Sequence, residues 1–377
     1  MVIEKNKKKS FPWRAGHATE LLIDGRVFFP AMLAALAQAQ RYILLEVYLV
    51  RSGHLMDRWI TALIQAAARG VLVAVLLDGF GAAGLSKQDR QKLLKAGVRL
   101  NWFNPLRWRN LSGNLMRDHR KLLLVDGHTA YVGGFGLTDA FAEGQDGWRE
   151  VTLKTLGPCV ADWQRLFLST WKQAKGRSLV LPASLPIRLI EPLAEGRVVK
   201  GQGLYLHAIK GSLIQQINNA KNHIWLATPY FVPVLKLRLA LRRAAERGVQ
   251  VHLLLPGPVI DHPPVRYAGQ RFYTNLLKSG VNIYEYLPQF VHAKVSLCDD
   301  WVSIGSCNFD HWGLRWNLEA NQEIRSKKLA DEVLAWFDAA RDESLWINAC
   351  LWKKRSYWQR IREYFWGTLD ALIQRLK

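Results

Sequence analysis

The chain has only four cysteines, Cys159, Cys298, Cys307 and Cys350, and no two of them stand in a C-x-x-C spacing or beside a histidine cluster. That scarcity excludes a disulfide scaffold and the usual zinc modules. It fits reduced thiols in a cytosolic setting, with no metal and no cofactor expected. Acidic residues are also short, since 31 Asp and Glu against 52 Lys and Arg leave a net charge of +21. A charge of that size calls for a polyanionic partner, either nucleic acid or an anionic membrane. No run of about 18 apolar residues is free of charges and helix breakers, so any membrane contact is expected to be peripheral. The basic start, with Lys5, Lys7, Lys8 and Lys9, leads into Ser10-Phe11-Pro12-Trp13 and not into an apolar stretch. It does not read as a signal peptide.

What the chain does have is tryptophan, 16 residues of it, within a composition that is 49% hydrophobic and free of long low-complexity tracts. Such a chain folds. Tryptophan is favoured at a bilayer interface and also stacks on nucleobases, so it leans toward the membrane without deciding the matter.

The organisation is a duplication. His119-Arg120-Lys121 followed by Asp126 returns as His292-Ala293-Lys294 followed by Asp299, each in an apolar run with glycine shortly after (Gly133, Gly134; Gly305). Ala67-Ala68-Arg69-Gly70-Val71 recurs as Ala245-Glu246-Arg247-Gly248-Val249, and Leu93-Leu94-Lys95-Ala96-Gly97-Val98 as Leu276-Leu277-Lys278-Ser279-Gly280-Val281. Each reads as a helix end, a glycine cap and a buried strand. Ala39 to Leu45 and Ala220 to Leu226 match at the entry to each half's first core strand. The fold class expected is therefore α/β: two similar lobes, each a mixed sheet flanked by helices, related by a pseudo-twofold with one shared cleft. Expected boundaries are 1–19 for a basic N-terminal segment, 20–175 for the first lobe, 176–203 for the connection, 204–345 for the second lobe and 346–377 for a basic aromatic tail.

On a strand, residues i and i+2 share a face, so His119 points with Lys121 and His292 with Lys294. Asp126 and Asp299 fall on the opposite parity and read as supports that hold neighbouring backbone or the opposite lobe and do not touch substrate. Two histidines meeting in one cleft can divide labour: one attacks an electrophile, the other protonates the leaving oxygen and later deprotonates the acceptor. Lysines beside them suit a phosphodiester, whose non-bridging oxygens they would neutralise in place of a metal ion.

With these residues the chain resembles the phospholipase D superfamily, whose signature is H-x-K-x4-D, and within it the bacterial cardiolipin synthases. The resemblance implies a catalytic set of His119, Lys121, Asp126, His292, Lys294 and Asp299, and a two-step phosphatidyl transfer through a covalent phosphohistidine. It implies that one phosphatidylglycerol is the donor and that a second, or another phospholipid, is the acceptor, with the first-half histidine favoured as nucleophile. Ser306 and Asn308 match its phosphate-binding positions. Glu319 matches an acid that orients the second histidine, with Glu150 as its first-half counterpart. One departure is Gly136, which stands where the family has asparagine.

Two basic aromatic segments are expected to meet the membrane: the loop bearing Trp102, Phe103 and Trp108, and the tail bearing Trp358, Phe365 and Trp366. A tail helix packed on the second lobe is the plainer alternative. The implied partners are anionic phospholipids and the cytoplasmic face of the bacterial inner membrane, with nucleic acid disfavoured and no oligomeric state indicated. Two competing readings are a phospholipase D or nucleic-acid phosphodiesterase that uses water as acceptor, and a membrane adaptor without chemistry.

Overall fold

The computed structural model describes residues 10–106, 113–142, 147–184, 194–202, 207–309 and 317–375. The first half runs β1 (Arg14–Ile23), α1 (Gly25–Gln38), β2 (Tyr42–Val47), α2 (His54–Ala68), β3 (Leu72–Asp78), α3 (Lys87–Lys95) and β4 (Arg99–Phe103). It continues with β5 (Lys121–Val125), β6 (Thr129–Gly133), β7 (Val151–Leu156) and α4 (Cys159–Gln173). The second half runs β8 (Ala194–Gln202), α5 (His207–Asn219), β9 (His223–Ala227), α6 (Leu235–Glu246), β10 (Gln250–Pro256), α7 (Pro263–Gln270), α8 (Tyr273–Lys278) and β11 (Asn282–Tyr286). After it come β12 (Val295–Cys298), β13 (Trp301–Gly305), β14 (Leu318–Arg325) and α9 (Lys327–Asp342). The chain ends in β15 (Ser344–Ile347), α10 (Ala349–Lys353) and α11 (Tyr357–Arg375).

Among the described residues the strands form one continuous sheet in the order β4-β3-β2-β5-β6-β7-β1-β8-β14-β13-β12-β9-β10-β11-β15. Leaving aside β15, the order 4-3-2-5-6-7-1 is answered from the other edge by 11-10-9-12-13-14-8. Each half is mixed: β2, β3 and β4 run parallel, while β2 pairs antiparallel with β5, as β9 does with β12. The halves meet where β1 pairs antiparallel with β8.

Helices cover both faces of the sheet. Every residue of β2 is buried, as expected for a strand covered on both sides. One apolar cluster runs beneath both halves and contains Trp163 and Phe167 of α4 and Trp336 and Phe337 of α9. The opposite face holds a separate cluster in each half. The seam is tied from below as well, since Trp163 Nε1 donates to Gln322 Oε1 at 2.7 Å. The repeated helix–glycine–strand unit forms as expected: Gly70 and Gly248 take φ of 86° and 89°, a left-handed turn that a side chain would strain.

Three boundaries differ from expectation. The presumed connection 176–203 contains β8, a central strand paired with both β1 and β14. Its sequence Ala-Glu-Gly-Arg-Val-Val-Lys-Gly-Gln lacks an apolar run because charged residues alternate with a small buried set, so it does not look like a core strand. The presumed N-terminal segment 1–19 contains the first half of β1 for the same reason. The tail begins within β15, an edge strand on β11.

Candidate active site

The two H-x-K segments enter β5 and β12 through short stretches bonded to the other half of the chain. His119 N–H donates to Leu318 O at 3.0 Å and Leu318 N–H to Arg117 O at 2.8 Å. In the mirrored arrangement His292 N–H donates to Arg149 O at 2.9 Å and Arg149 N–H to Phe290 O at 2.9 Å. Each motif thus sits beside the residue that precedes a glutamate of the other lobe. His119 Nδ1 lies 2.9 Å from Glu319 Oε1, and His292 Nδ1 lies 2.8 Å from Glu150 Oε2. The two glutamates occupy the expected places, but their pairing is exchanged: Glu319 serves the first histidine and Glu150 the second. Proximity to the motif within one half is the wrong guide, because Glu150, just before β7, and Glu319, second in β14, each face the histidine of the other lobe.

Both glutamates are fully buried, and both lysines nearly so. Lys121 Nζ donates to His119 O and Lys294 Nζ to His292 O at 2.6 Å, which ties each ammonium to its own motif. Lys294 also stands 3.0 and 3.2 Å from the two ring nitrogens of His292. Lys121 instead leans over Tyr48, 5.3 Å from the ring centroid. Ser306 Oγ donates to Glu319 and accepts from Ala320 N–H at 3.1 Å. Asn308 is buried close by, its Oδ1 without a partner among the described residues.

Burial dominates the titration of this cluster. It pulls His119 below 6.5, partly offset by Glu319. Burial, then Lys294, Lys121 and His119, hold His292 well below 6.5. Burial lowers Lys121 to about 7 and raises Glu150 to about 7. Glu319 also suffers burial, yet His119, Lys121 and Ser306 together keep it below the usual carboxylate value.

Asp126 and Asp299, grouped with the catalytic set by resemblance, lie away from these groups. Asp126 accepts from the backbone N–H groups of Gln40, Arg41 and Tyr42 at 2.8–2.9 Å. Asp299 accepts likewise from Lys221, Asn222 and His223 at 2.8–3.1 Å. Each pins the start of β2 or β9 to the turn after the motif strand. This corrects a catalytic role and agrees with the strand-parity reading.

The aromatic residues sort differently from expectation. Phe103 is 3% exposed, within the core beneath both halves, so its membrane role is corrected: it alternates along β4 with Trp102 and faces inward. Trp102 is partly buried on the opposite face, with Arg90 4.7 Å from its ring centroid. Trp108 lies outside the described residues. Trp358 and Phe365 are 71% and 58% exposed on α11. Trp366 packs against the second lobe's core, as the plainer reading of the tail anticipates.

A buried polar network in the first half escaped sequence reading. Asp78 accepts from the N–H groups of Phe80, Gly81 and Asp118 at 2.8–2.9 Å. Arg117 lies 3.4 Å from Asp78, and Arg120 reaches Glu46 at 3.3 Å and Thr170 at 2.7 Å. The signal was available as Glu46 and Asp78, carboxylates inside otherwise apolar strands. The second half has Ala227, Pro256, Phe290, Val291 and Ala293 at the positions of Glu46, Asp78, Arg117, Asp118 and Arg120. His292 accordingly stands among rings, with centroids of Trp148, Phe141 and Phe290 at 5.0, 5.2 and 5.6 Å.

Known proteins carry the same plan. Residues 32–171 and 213–341 match the family described as cardiolipin synthase, PLD-like domain. Cardiolipin synthase 2 of Bacillus anthracis is 33% identical over 94% of this chain and 70% of its own length. Cardiolipin synthase B of Salmonella typhimurium is 34% identical over 84% of this chain and 78% of its own. The fold is shared with phosphatidylserine synthase of Haemophilus influenzae, at a TM-score of 0.70 and 12% identity over 95% of both chains. With the family model covering most of both halves and a twin H-x-K-x4-D at the seam between them, the chain belongs to the phospholipase D superfamily and, within it, to the cardiolipin synthase family.

Proposed function

We propose that the two lobes are related by a pseudo-twofold and share one cleft, in which the chain makes cardiolipin from phosphatidylglycerol through a covalent phosphatidyl-histidine. The observation that carries this reading is the exchange of glutamates: each histidine has its own lysine and the other lobe's carboxylate, within 2.8–2.9 Å. Such a carboxylate fixes the imidazole tautomer and stabilises the imidazolium. One histidine attacks the phosphorus of phosphatidylglycerol while the other protonates departing glycerol. The same second group then takes the proton of the acceptor hydroxyl, for which a second phosphatidylglycerol is proposed. Lys121 and Lys294 would neutralise the non-bridging oxygens in a site where burial strengthens each charge, and Ser306 and Asn308 would complete the phosphate pocket. A bound phosphodiester also stabilises the lysine charges that burial disfavours.

The setting proposed is peripheral, on the cytoplasmic face of the bacterial inner membrane. No described helix is long and apolar enough to cross a bilayer. The net charge suits anionic lipid, and the exposed aromatic side of α11 suits the interfacial layer. The lobes are proposed to work as units joined at β1 and β8.

The test gives purified protein labelled phosphatidylglycerol in vesicles, with and without candidate acceptors, and identifies products by mass spectrometry. Cardiolipin and free glycerol are expected. Phosphatidic acid as the only product would overturn the synthase assignment in favour of hydrolysis.

A further inference from the structure

Resting on that proposed transfer, we infer that Tyr48 is a positioning residue of the first motif, its ring seating the Lys121 ammonium for the phosphodiester. Tyr48 lies outside the H-x-K-x4-D signature and close to it in space. It stands one residue past β2, whose last residue, Val47, pairs with Lys121 across the ladder. The chain bends at Tyr48, and the Lys121 ammonium lies over the ring, 5.3 Å from its centroid. The same ring meets His119 edge-on at 4.8 Å.

The segment that carries the ring is tied on both sides. Val50 N–H donates to Gly81 O at 3.3 Å, Leu137 N–H to Leu49 O at 2.8 Å and Arg51 N–H to Leu137 O at 3.0 Å. Gly81 leaves the ring its space, since a Cβ there would stand 2.3 Å from Tyr48 O and 2.8 Å from Cδ2 of the ring. The second lobe is built differently. In the register that sets Glu46 against Ala227, Tyr48 corresponds to Pro229, which offers no π face. Lys294 stands at the ring nitrogens of His292 instead.

A ring suits Lys121 because of the work proposed for that lysine. Burial lowers its ammonium to about 7, and Lys294 also opposes its charge. Glu319, Glu150 and Asp118 favour the charge, but Glu319 is engaged by His119 and Ser306, and Glu150 by His292. A further carboxylate would repel the incoming phosphate. An aromatic face within about 6 Å stabilises a cation through its quadrupole and carries no net charge, so it supports the ammonium and leaves the phosphate unopposed. Tyr48 itself stays neutral, since burial pushes its hydroxyl up to about 12.

Only the charged form of Lys121 gains from the ring, so a weaker π face should let the ammonium lose its proton more readily. Lys121 should then titrate lower by about one pH unit without the ring, and by smaller steps as fluorine drains the ring of electron density. An ammonium at about 7 is half charged at pH 7, and one that titrates a unit lower is about one-tenth charged there. The kcat/KM for glycerol release should therefore fall about fivefold at pH 7 and less than about twofold at pH 6.

The experiment replaces Tyr48 in the full chain by Phe, by 3,5-difluorophenylalanine, by 3,4,5-trifluorophenylalanine and by Leu. Lys121 is titrated in each by trace acetylation with acetic anhydride at a series of pH values, followed by digestion and mass spectrometry. Glycerol release from dibutanoylphosphatidylglycerol is followed over the same series. Tyr48→Phe is expected to keep the wild-type midpoint of Lys121 and the alkaline limb of kcat/KM, with both moving down together through the fluorinated rings and furthest in Tyr48→Leu. A midpoint unmoved across the series would overturn the inference. So would a Tyr48→Phe that behaves like Tyr48→Leu, which would assign the effect to the hydroxyl. A midpoint that moves without the limb would also overturn it, because the ring would then act on a lysine that the reaction does not use. A wild type that releases no glycerol at any pH would overturn the proposed function instead, and the acetylation would still decide what the ring does to Lys121. The fluorinated rings keep nearly the shape of Phe, so the series decides even if Tyr48→Leu does not fold.

Discussion

Glu150 and His292 are 142 residues apart in the chain and 2.8 Å apart across the seam between the lobes. Burial has raised this carboxyl from 4.5 to about 7, so the folded state holds its proton more tightly than the unfolded chain does. Its contribution to stability is therefore complete below pH 4.5 and is lost as the pH rises through 7. Glu150→Gln does not titrate. Denaturant unfolding from pH 4 to 8 should show the variant gaining on the wild type as pH rises, by an amount on the order of 2 kcal/mol. Turnover should fall by about 10²- to 10⁴-fold at every pH, because the amide no longer fixes the imidazole as a carboxylate does. A stability difference that is flat with pH would mean that burial leaves the proton affinity of Glu150 where the unfolded chain has it.

Asp126 and Asp299 should separate from the histidines in a stability assay. Asp126→Ala leaves three backbone N–H groups without their acceptor at a buried position and places alanine at a φ of 53°. A loss of about 2–4 kcal/mol is expected by denaturant unfolding. Asp299→Ala should cost less, about 1–2 kcal/mol, because its partners are more open to water that can replace the carboxylate. Transfer activity per folded molecule should be little changed in both. A variant with wild-type stability and no activity would return the aspartates to the chemistry.

Local patterns carried the fold and the four catalytic candidates into view. The Ala-x-Arg-Gly-Val and Leu-Leu-Lys-x-Gly-Val repeats mark places where helix, left-handed glycine and strand follow within a few residues, and the sequence displays all three. The parity along the motif strand correctly removed Asp126 from the histidine's face. What stayed hidden depends on contacts across the seam. No pattern near His119 points to Glu319, and β8 is a central strand whose charged residues mask its alternation. Phe103 is a different case: strand alternation already opposes it to Trp102, so treating the two together as one aromatic patch ignored available evidence.

Gly136 is set by space. A Cβ there would lie 3.0 Å from Phe141 Cε2 and 3.1 Å from both Cβ and O of Leu49. Phe141 in turn stacks edge-on against His292, so the ring occupies room that an asparagine side chain would need. Gly136→Asn should thus destabilise by about 1–3 kcal/mol and should not raise transfer activity, despite matching the family pattern. Adding Phe141→Ala should recover part of the stability cost, seen as a positive coupling in a double-mutant cycle. Additive losses would show that the two positions do not compete.

The tail helix α11 should divide by face. Trp366 packs on the second lobe's core and Gly367 O accepts from Arg271 of that lobe, while the buried Glu363 receives Arg355 of the preceding turn at 2.9 and 3.1 Å. Tyr357, Trp358, Tyr364 and Phe365 turn outward at 58–77% exposure. Aromatic side chains on that outer face gain free energy only where there is an interface to enter. Trp358→Ala with Phe365→Ala should leave the unfolding midpoint in place and weaken binding to phosphatidylglycerol vesicles by about thirtyfold in flotation, since each large side chain contributes on the order of 1 kcal/mol at the interface. Trp366→Ala should do the reverse, lowering the midpoint through a lost core contact worth about 2–4 kcal/mol and affecting flotation only as far as the helix loosens. Raising the salt should weaken the binding of the double variant and of the wild type by similar factors, because the Lys and Arg charges that salt screens are the same in both. If the double variant floats like the wild type, α11 is not the membrane-facing surface.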